Sequence, residues 1–353
     1  MRALVPLAVL VAAALGLGSE SWPTAAPAPP LAGFSFSPIT SEWNGRDPMQ
    51  DLSVLLETTN PDLVRLPIYW DEVQPTPTSL DFTSVDSLLG VVSRHNATAE
   101  RQTRVVLTVG ARNFLYPELH QPEWAGQRSQ PSIGVAQAGH AYRHYFAQSV
   151  KRYRSSPLLY AWQVENEPLD SVTNDVTGDN RISPEQLAWE MAEVHRLDPK
   201  HQAVTTTYNG INTSVDLLEL WAPQFVKHMG TVGSPEAALQ MGDALGLDVY
   251  VDGPSVPLRD VTTVDLRSKW KQQTVAFWAD RAHTAGKGLW LTEVQAQPWD
   301  AATRFAPQDL IEGAVNYRQE PVQVVLLWGV QTWLGDPEWM DAGTRALDIL
   351  QAE

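Results

Sequence analysis

The sequence predicts an α/β protein built as a single (β/α)8 TIM barrel, with eight parallel strands and their helices spread over residues 31–353. Three observations predict it. Eight apolar, β-rich runs recur along the chain. Segments of helical period separate them. The first run is followed by SPITSEWNG, where an open doubly wound sheet carries a G-x-G-x-x-G phosphate turn. The runs are nearly continuous in apolar residues rather than alternating, which is how a strand reads when both of its faces are covered.

In chain order the runs are GFSFSPI (33–39), LVRLPIYW (63–70), RVVLTVGA (104–111), LLYAWQVENE (158–167), QAVTTTYNG (202–210), ALGLDVYV (244–251), GLWLTEVQA (288–296) and VQVVLLWGVQ (322–331). Helices are expected over 81–95, 138–154, 183–197 and 263–285. The third has the clearest start: Ser183 as N-cap, Pro184 at the first helical position and Gln186 placed to complete a capping box.

Ahead of the first run, MRALVPLAVLVAAALGLGSES has one Arg, a short apolar stretch and then small residues. That is a signal-peptide pattern, and the stretch is short for a bilayer span. Residues 1–30 therefore read as a signal peptide followed by a Pro/Ala-rich linker. The expectation is a secreted or extracytoplasmic protein with no stable membrane span, the alternative being an uncleaved anchor. A net charge of −16 disfavours a nucleic-acid partner, because holding a phosphate backbone needs basic clusters, so none is expected. The absence of cysteine excludes a disulfide framework and thiolate-bound zinc. The acidic stretch 170–179 lacks the closing glutamate of an EF-hand loop, so no metal is expected there. A monomer is expected.

The C-terminal ends of barrel strands carry the chemistry. The fourth run ends in Glu165, Asn166, Glu167 and Pro168, and the seventh presents Glu293. Two carboxylates delivered from separate strands are what cleavage of a glycosidic bond needs, one as acid and one as nucleophile or base. Around them the strand ends supply Arg65, Tyr69, Trp70, Arg112, Asn113, Tyr208, Asn209, Asp248, Tyr250, Gln295, Trp299, Trp328, Gln331 and Trp333. Amides and carboxylates match the hydroxyl edges of sugars, and indole rings match their C–H faces. Glu165 lies two residues before Glu167, on the same strand face by period two, and is the alternative acid.

In these residues the chain resembles the clan A β/α-barrel retaining glycoside hydrolases, which include family 5 cellulases and mannanases and family 42 β-galactosidases. The resemblance covers Leu31 to the C-terminus. It implies Glu167, within Asn166-Glu167-Pro168, as acid/base and Glu293 as nucleophile. It also implies Arg65 and Tyr250 as partners of that nucleophile, Asn166 as a substrate ligand and Trp328 as the floor of a sugar subsite. Trp70, Trp299 and Trp333 are added as candidate sugar platforms. Family 5 enzymes carry a histidine near the end of the third strand. Here that place reads TVGARNFLYPELHQPEW, with His120 only in the loop beyond, so the resemblance is to the clan rather than to that family. The implied activity is retaining hydrolysis of β-linked glycosides with no cofactor. A transglycosylase using the same residues and a non-catalytic sugar-binding barrel are the alternatives.

Overall fold

The computed structural model describes residues 28–115, 118–126, 139–170, 173–174, 178–179, 181–208, 233–251, 264–298 and 305–352. Eight strands close into one parallel barrel: β1 (Leu31–Ser35), β2 (Leu63–Ile68), β3 (Arg104–Val109), β4 (Leu159–Val164), β5 (Gln202–Tyr208), β6 (Ala244–Val249), β7 (Gly288–Gln295) and β8 (Val324–Trp328). Neighbours in sequence are neighbours in the ring, and β8 closes onto β1 with Leu31 beside Val324. Each expected run matches one strand, but every strand stops earlier than its run does. The fourth run was expected to continue to Glu167, whereas β4 ends at Val164.

Proline punctuates the helices. Pro48, Pro184, Pro235, Pro307 and Pro337 each open a helix, where the missing N–H is no loss and φ is already set. The helices used below are α1 (Pro38–Trp43), α2 (Pro48–Thr59), α3 (Trp70–Val73), α4 (Thr83–Asn96), α5 (His140–Tyr153) and α6 (Pro184–Leu197). At the start of α6 the Ser183 hydroxyl accepts the Gln186 amide at 3.2 Å, but the Gln186 side chain turns to Glu190 instead of returning to the cap. Half of the expected capping box is therefore present.

Two apolar layers account for the alternation along the strands. Val64, Leu66 and Ile68 of β2, like Val105, Leu107 and Val109 of β3, point outward against the helices. Leu63, Val106, Ala161, Val204, Ala244, Trp290 and Val324 point inward and plug the N-terminal half of the barrel. Higher up, the inward positions include the polar residues Arg65, Gln163 and Asp248, all buried. The plug closes the barrel from below and leaves the polar layer facing the C-terminal mouth.

β7 departs from simple alternation. Leu291 pairs with Leu247 and Glu293 with Asp248, so an extra residue bulges at Thr292. Trp290 faces inward, as does Thr292, whose hydroxyl donates to Asp248 Oδ1 at 2.6 Å. Because of the bulge Glu293 faces inward as well, while Val294 returns to the helix layer.

Candidate active site

Glu293 is held from two sides. Arg65 Nη2 donates to its Oε1 at 2.6 Å, and the Tyr250 hydroxyl donates to its Oε2. The Arg65 guanidinium is itself fixed, with Nε on Ser35 Oγ and Nη1 on Gln163 Oε1, both at 2.8 Å, and the ring of Phe114 lies 4.0 Å from its centre. A buried ion pair of this kind contributes little net stability. Its effect is to fix the carboxylate's orientation. Tyr250 stacks near Tyr208 and meets Trp328 edge to face at 5.8 Å, which brings β5, β6 and β8 to the same mouth.

Glu167 has the opposite environment. Its backbone is in the left-handed region, with φ of 44°. The turn is held by its N–H to Thr206 Oγ1 at 2.9 Å and by Arg112 Nη1 to its carbonyl at 2.7 Å. Burial pushes its carboxyl well above the ordinary range, and the charges of Glu118, Asp170, Asp248 and Glu293 add to the effect. Asn166 is enclosed beside it. Its Oδ1 accepts Gln163 Nε2 at 2.9 Å, and its Nδ2 has no partner among the described residues. One carboxylate is thus braced by cationic and hydroxyl donors, and burial and like charge push the other's carboxyl upward. Two such environments separate a nucleophile from an acid.

Several sequence expectations need correction. Trp70 is 0% exposed, bonds Gln74 Oε1 at 2.8 Å and packs edge to face on Tyr142 and Trp124. Trp333 is 1% exposed, donates to the Ala296 carbonyl and lies against Gly343. Both are core residues, because α3 and the turn after β8 carry them into the helix layer, and no sugar can reach them. Trp299 lies outside the described residues, as do Asn209 and most of the linker and signal segment. Glu165 does not share the inward face of Glu167. The chain leaves strand geometry at Val164, and Glu165 has a φ of 61°, so period-two alternation no longer applies. Its carboxyl points to the helix layer, where the Tyr142 hydroxyl reaches it at 3.2 Å.

Three charged residues join the site without having been assigned a role. Arg112 is fully buried and pairs with Glu118, which is carried on the loop returning to β3. Asp170 is enclosed and accepts Thr207 Oγ1 at 2.9 Å and the Tyr208 amide at 2.6 Å. Burial pushes the Asp170 carboxyl up to about 7. The same return loop brings His120 back beside the end of β3, with its amide on the Ala111 carbonyl and its ring stacked 3.9 Å from Tyr69. A histidine therefore does stand at the end of the third strand, supplied by chain nine residues beyond Ala111.

The acid cluster has a consequence for stability. Asp170, Glu167, Glu190 and Asp248 are all raised by burial, so each favours folding while protonated and opposes it once ionised. Stability from these groups is complete below about pH 4 and is lost as pH rises through their folded-state values. The lowered carboxylates Asp86, Glu193 and Asp198 titrate below that window. The melting temperature is expected to fall by roughly 5 °C or more between pH 5 and pH 8, and Glu167→Gln to lessen the fall. Calorimetry across this range checks it, and a flat or rising profile would refute the assignment.

No family model matches the chain. A stretch of 83 residues is 37% identical to the "Probable mannan endo-1,4-beta-mannosidase C" of Aspergillus terreus, and the match spans 22% of this chain and 20% of that protein. Among solved structures, a GH5_18 protein from Streptomyces cattleya in complex with GlcNAc superposes with a TM-score of 0.57 at 17% identity, over 86% of this chain and 71% of that one. A GH5_18 protein from Bifidobacterium longum subsp. infantis gives 0.59 at 14%, over 92% and 79%. Xylanase 10B from Thermotoga maritima gives 0.52 at 15%, over 84% and 82%. The chain shares the barrel fold of these proteins.

Proposed function

We propose that this chain, which has the barrel of the clan A glycoside hydrolases, is a retaining β-glycoside hydrolase. The observation that carries the reading is the asymmetric pair at the mouth: Glu293 clamped by Arg65 and Tyr250, and Glu167 isolated among other carboxyl groups. Glu167 donates its proton to the glycosidic oxygen as that bond breaks. Glu293 attacks the anomeric carbon and forms a glycosyl ester. Glu167, now ionised, takes a proton from water as the water displaces Glu293. Trp328, partly exposed beside Tyr250, offers an apolar face.

An acidic mouth disfavours uronic-acid polymers and suits neutral glycans. The local match to a mannosidase, and GH5_18 proteins crystallised with Manβ1-4GlcNAc, make β-mannosides the first substrates to try. The test is a panel of aryl β-glycosides and β-1,4-glycans, with NMR of the first-formed anomer. Turnover with a β product is expected. An α product would mean inversion, and no turnover across the panel would favour a sugar-binding barrel. Added sugar acceptors separate hydrolysis from transglycosylation. Export is proposed from the N-terminal segment, and mature protein beginning within residues 18–30 in the culture medium would support it.

A further inference from the structure

The turn that aims Glu167 is strained. Glu165 and Glu167 both have left-handed backbones, with φ of 61° and 44°. For residues other than glycine such a backbone is strained and persists only where the surroundings fix it. Glu167 is fixed by Thr206 and by Arg112. What fixes Glu165 lies behind the site. Its Oε1 accepts the Ala111 amide at 2.9 Å and its Oε2 the Arg112 amide at 2.5 Å, both just beyond β3. Gly110 leaves the room for this: a Cβ there would stand 2.3 Å from the Glu165 carboxyl carbon.

These bonds form a circuit. The Glu165 carboxyl holds the Arg112 backbone, and the Arg112 guanidinium holds the Glu167 carbonyl two residues on from Glu165. Further back, Glu190 of α6 is linked to Glu165 through Tyr142 of α5, whose hydroxyl lies between the two carboxyl groups. Glu165 accepts two backbone N–H groups, which favour its charge. Glu190 accepts Tyr142 and Gln186 on Oε1, so the Tyr142 hydroxyl is what ties it to Glu165.

Resting on the acid/base role given to Glu167, we infer that Glu165 is a positioning residue: bonded to the Ala111 and Arg112 amides, it pins the 165–167 turn to the end of β3 and so aims Glu167. The inference predicts different effects for like substitutions in these two neighbouring carboxyl groups. Glu190→Gln keeps an acceptor for Tyr142 and Gln186 and leaves both backbone bonds of Glu165 in place, so kcat/KM should stay within about threefold of the parent. Glu165→Gln turns an N–H against a backbone N–H, and Glu165→Ala removes both acceptors.

For Glu165→Ala, kcat/KM on alkyl or sugar leaving groups should fall about 10²–10³-fold, with less than about tenfold loss on activated aryl glycosides, because only the former need a well-placed acid. Glu165→Gln should show the same split to a smaller degree, and it carries the test if the alanine variant does not fold. Equal losses on both leaving-group classes would mean a purely structural role and overturn the inference. So would near-parent activity of both Glu165 variants, or Glu190→Gln as damaging as Glu165→Gln. If the parent protein turns over no glycoside, the functional reading fails by itself, and crystal structures of the Glu165 variants still decide this point. Departure of the Glu167 φ from the left-handed region supports the pin, and an unchanged Glu167 overturns it.

Discussion

Glu293→Ala is expected to lower kcat on every substrate by about 10⁵-fold or more, because no other group is placed to attack the anomeric carbon. The loss should be the same for good and poor leaving groups, since the missing step is bond formation to carbon. Truncation also empties the space between Arg65 and Tyr250, whose donors would then face an anion-sized gap. Azide or formate should enter it, attack from the face that Glu293 occupied and restore part of the rate on activated aryl glycosides, giving an α-glycosyl product with azide. Detection of that product by NMR identifies Glu293 as nucleophile. Residual activity above about one part in 10³ without added anion would assign the nucleophile elsewhere.

Glu167→Ala is expected to behave differently on different substrates. With alkyl or sugar leaving groups kcat/KM should fall about 10³–10⁴-fold, the span that a positioned general acid supplies. With an activated nitrophenolate the departing oxygen needs little protonation, so kcat/KM should change by less than about tenfold. The second step still lacks its base, so the glycosyl-enzyme should accumulate, visible as a burst and a lowered KM. Azide attacking that intermediate should give a β-glycosyl product, the opposite anomer to the one from the Glu293 variant. The alkaline limb of the parent kcat/KM profile should lie above the ordinary carboxylate range, as burial and four nearby carboxyl groups require, and should vanish in this variant. Uniform loss across leaving groups would remove Glu167 from the acid role.

The barrel was legible because its signals are repetitive: a buried parallel strand reads as an apolar run, and eight of them set apart by helical segments leave few alternatives. Strand ends were less legible, for a physical reason. At 165–167 the backbone turns left-handed, and no pattern of residue types marks a glutamate with positive φ. Hence Glu165 was read onto the wrong face while Glu167 was read onto the right one. Trp70 and Trp333 were misread because an indole suits a sugar platform and a helix–barrel interface equally well, and only the packing partners distinguish the two. Glu118 and Asp170 were passed over because they lie in loops. The turn that returns Leu119 to Arg112, and the bond from Asp170 to the Tyr208 amide, are tertiary facts with no local signal.

The irregularity in β7 sets the height of the nucleophile. Thr292 and Glu293 occupy the inner wall in succession, the first tied down to Asp248 and the second lifted toward Tyr250. A regular strand could offer only one of these positions to the axis, and a carboxylate placed there would sit about 3.3 Å deeper, one residue's rise along the strand. The extra residue therefore acts as a spacer: it fixes how far a sugar ring must descend before its anomeric carbon meets the attacking oxygen, independently of the packed floor beneath.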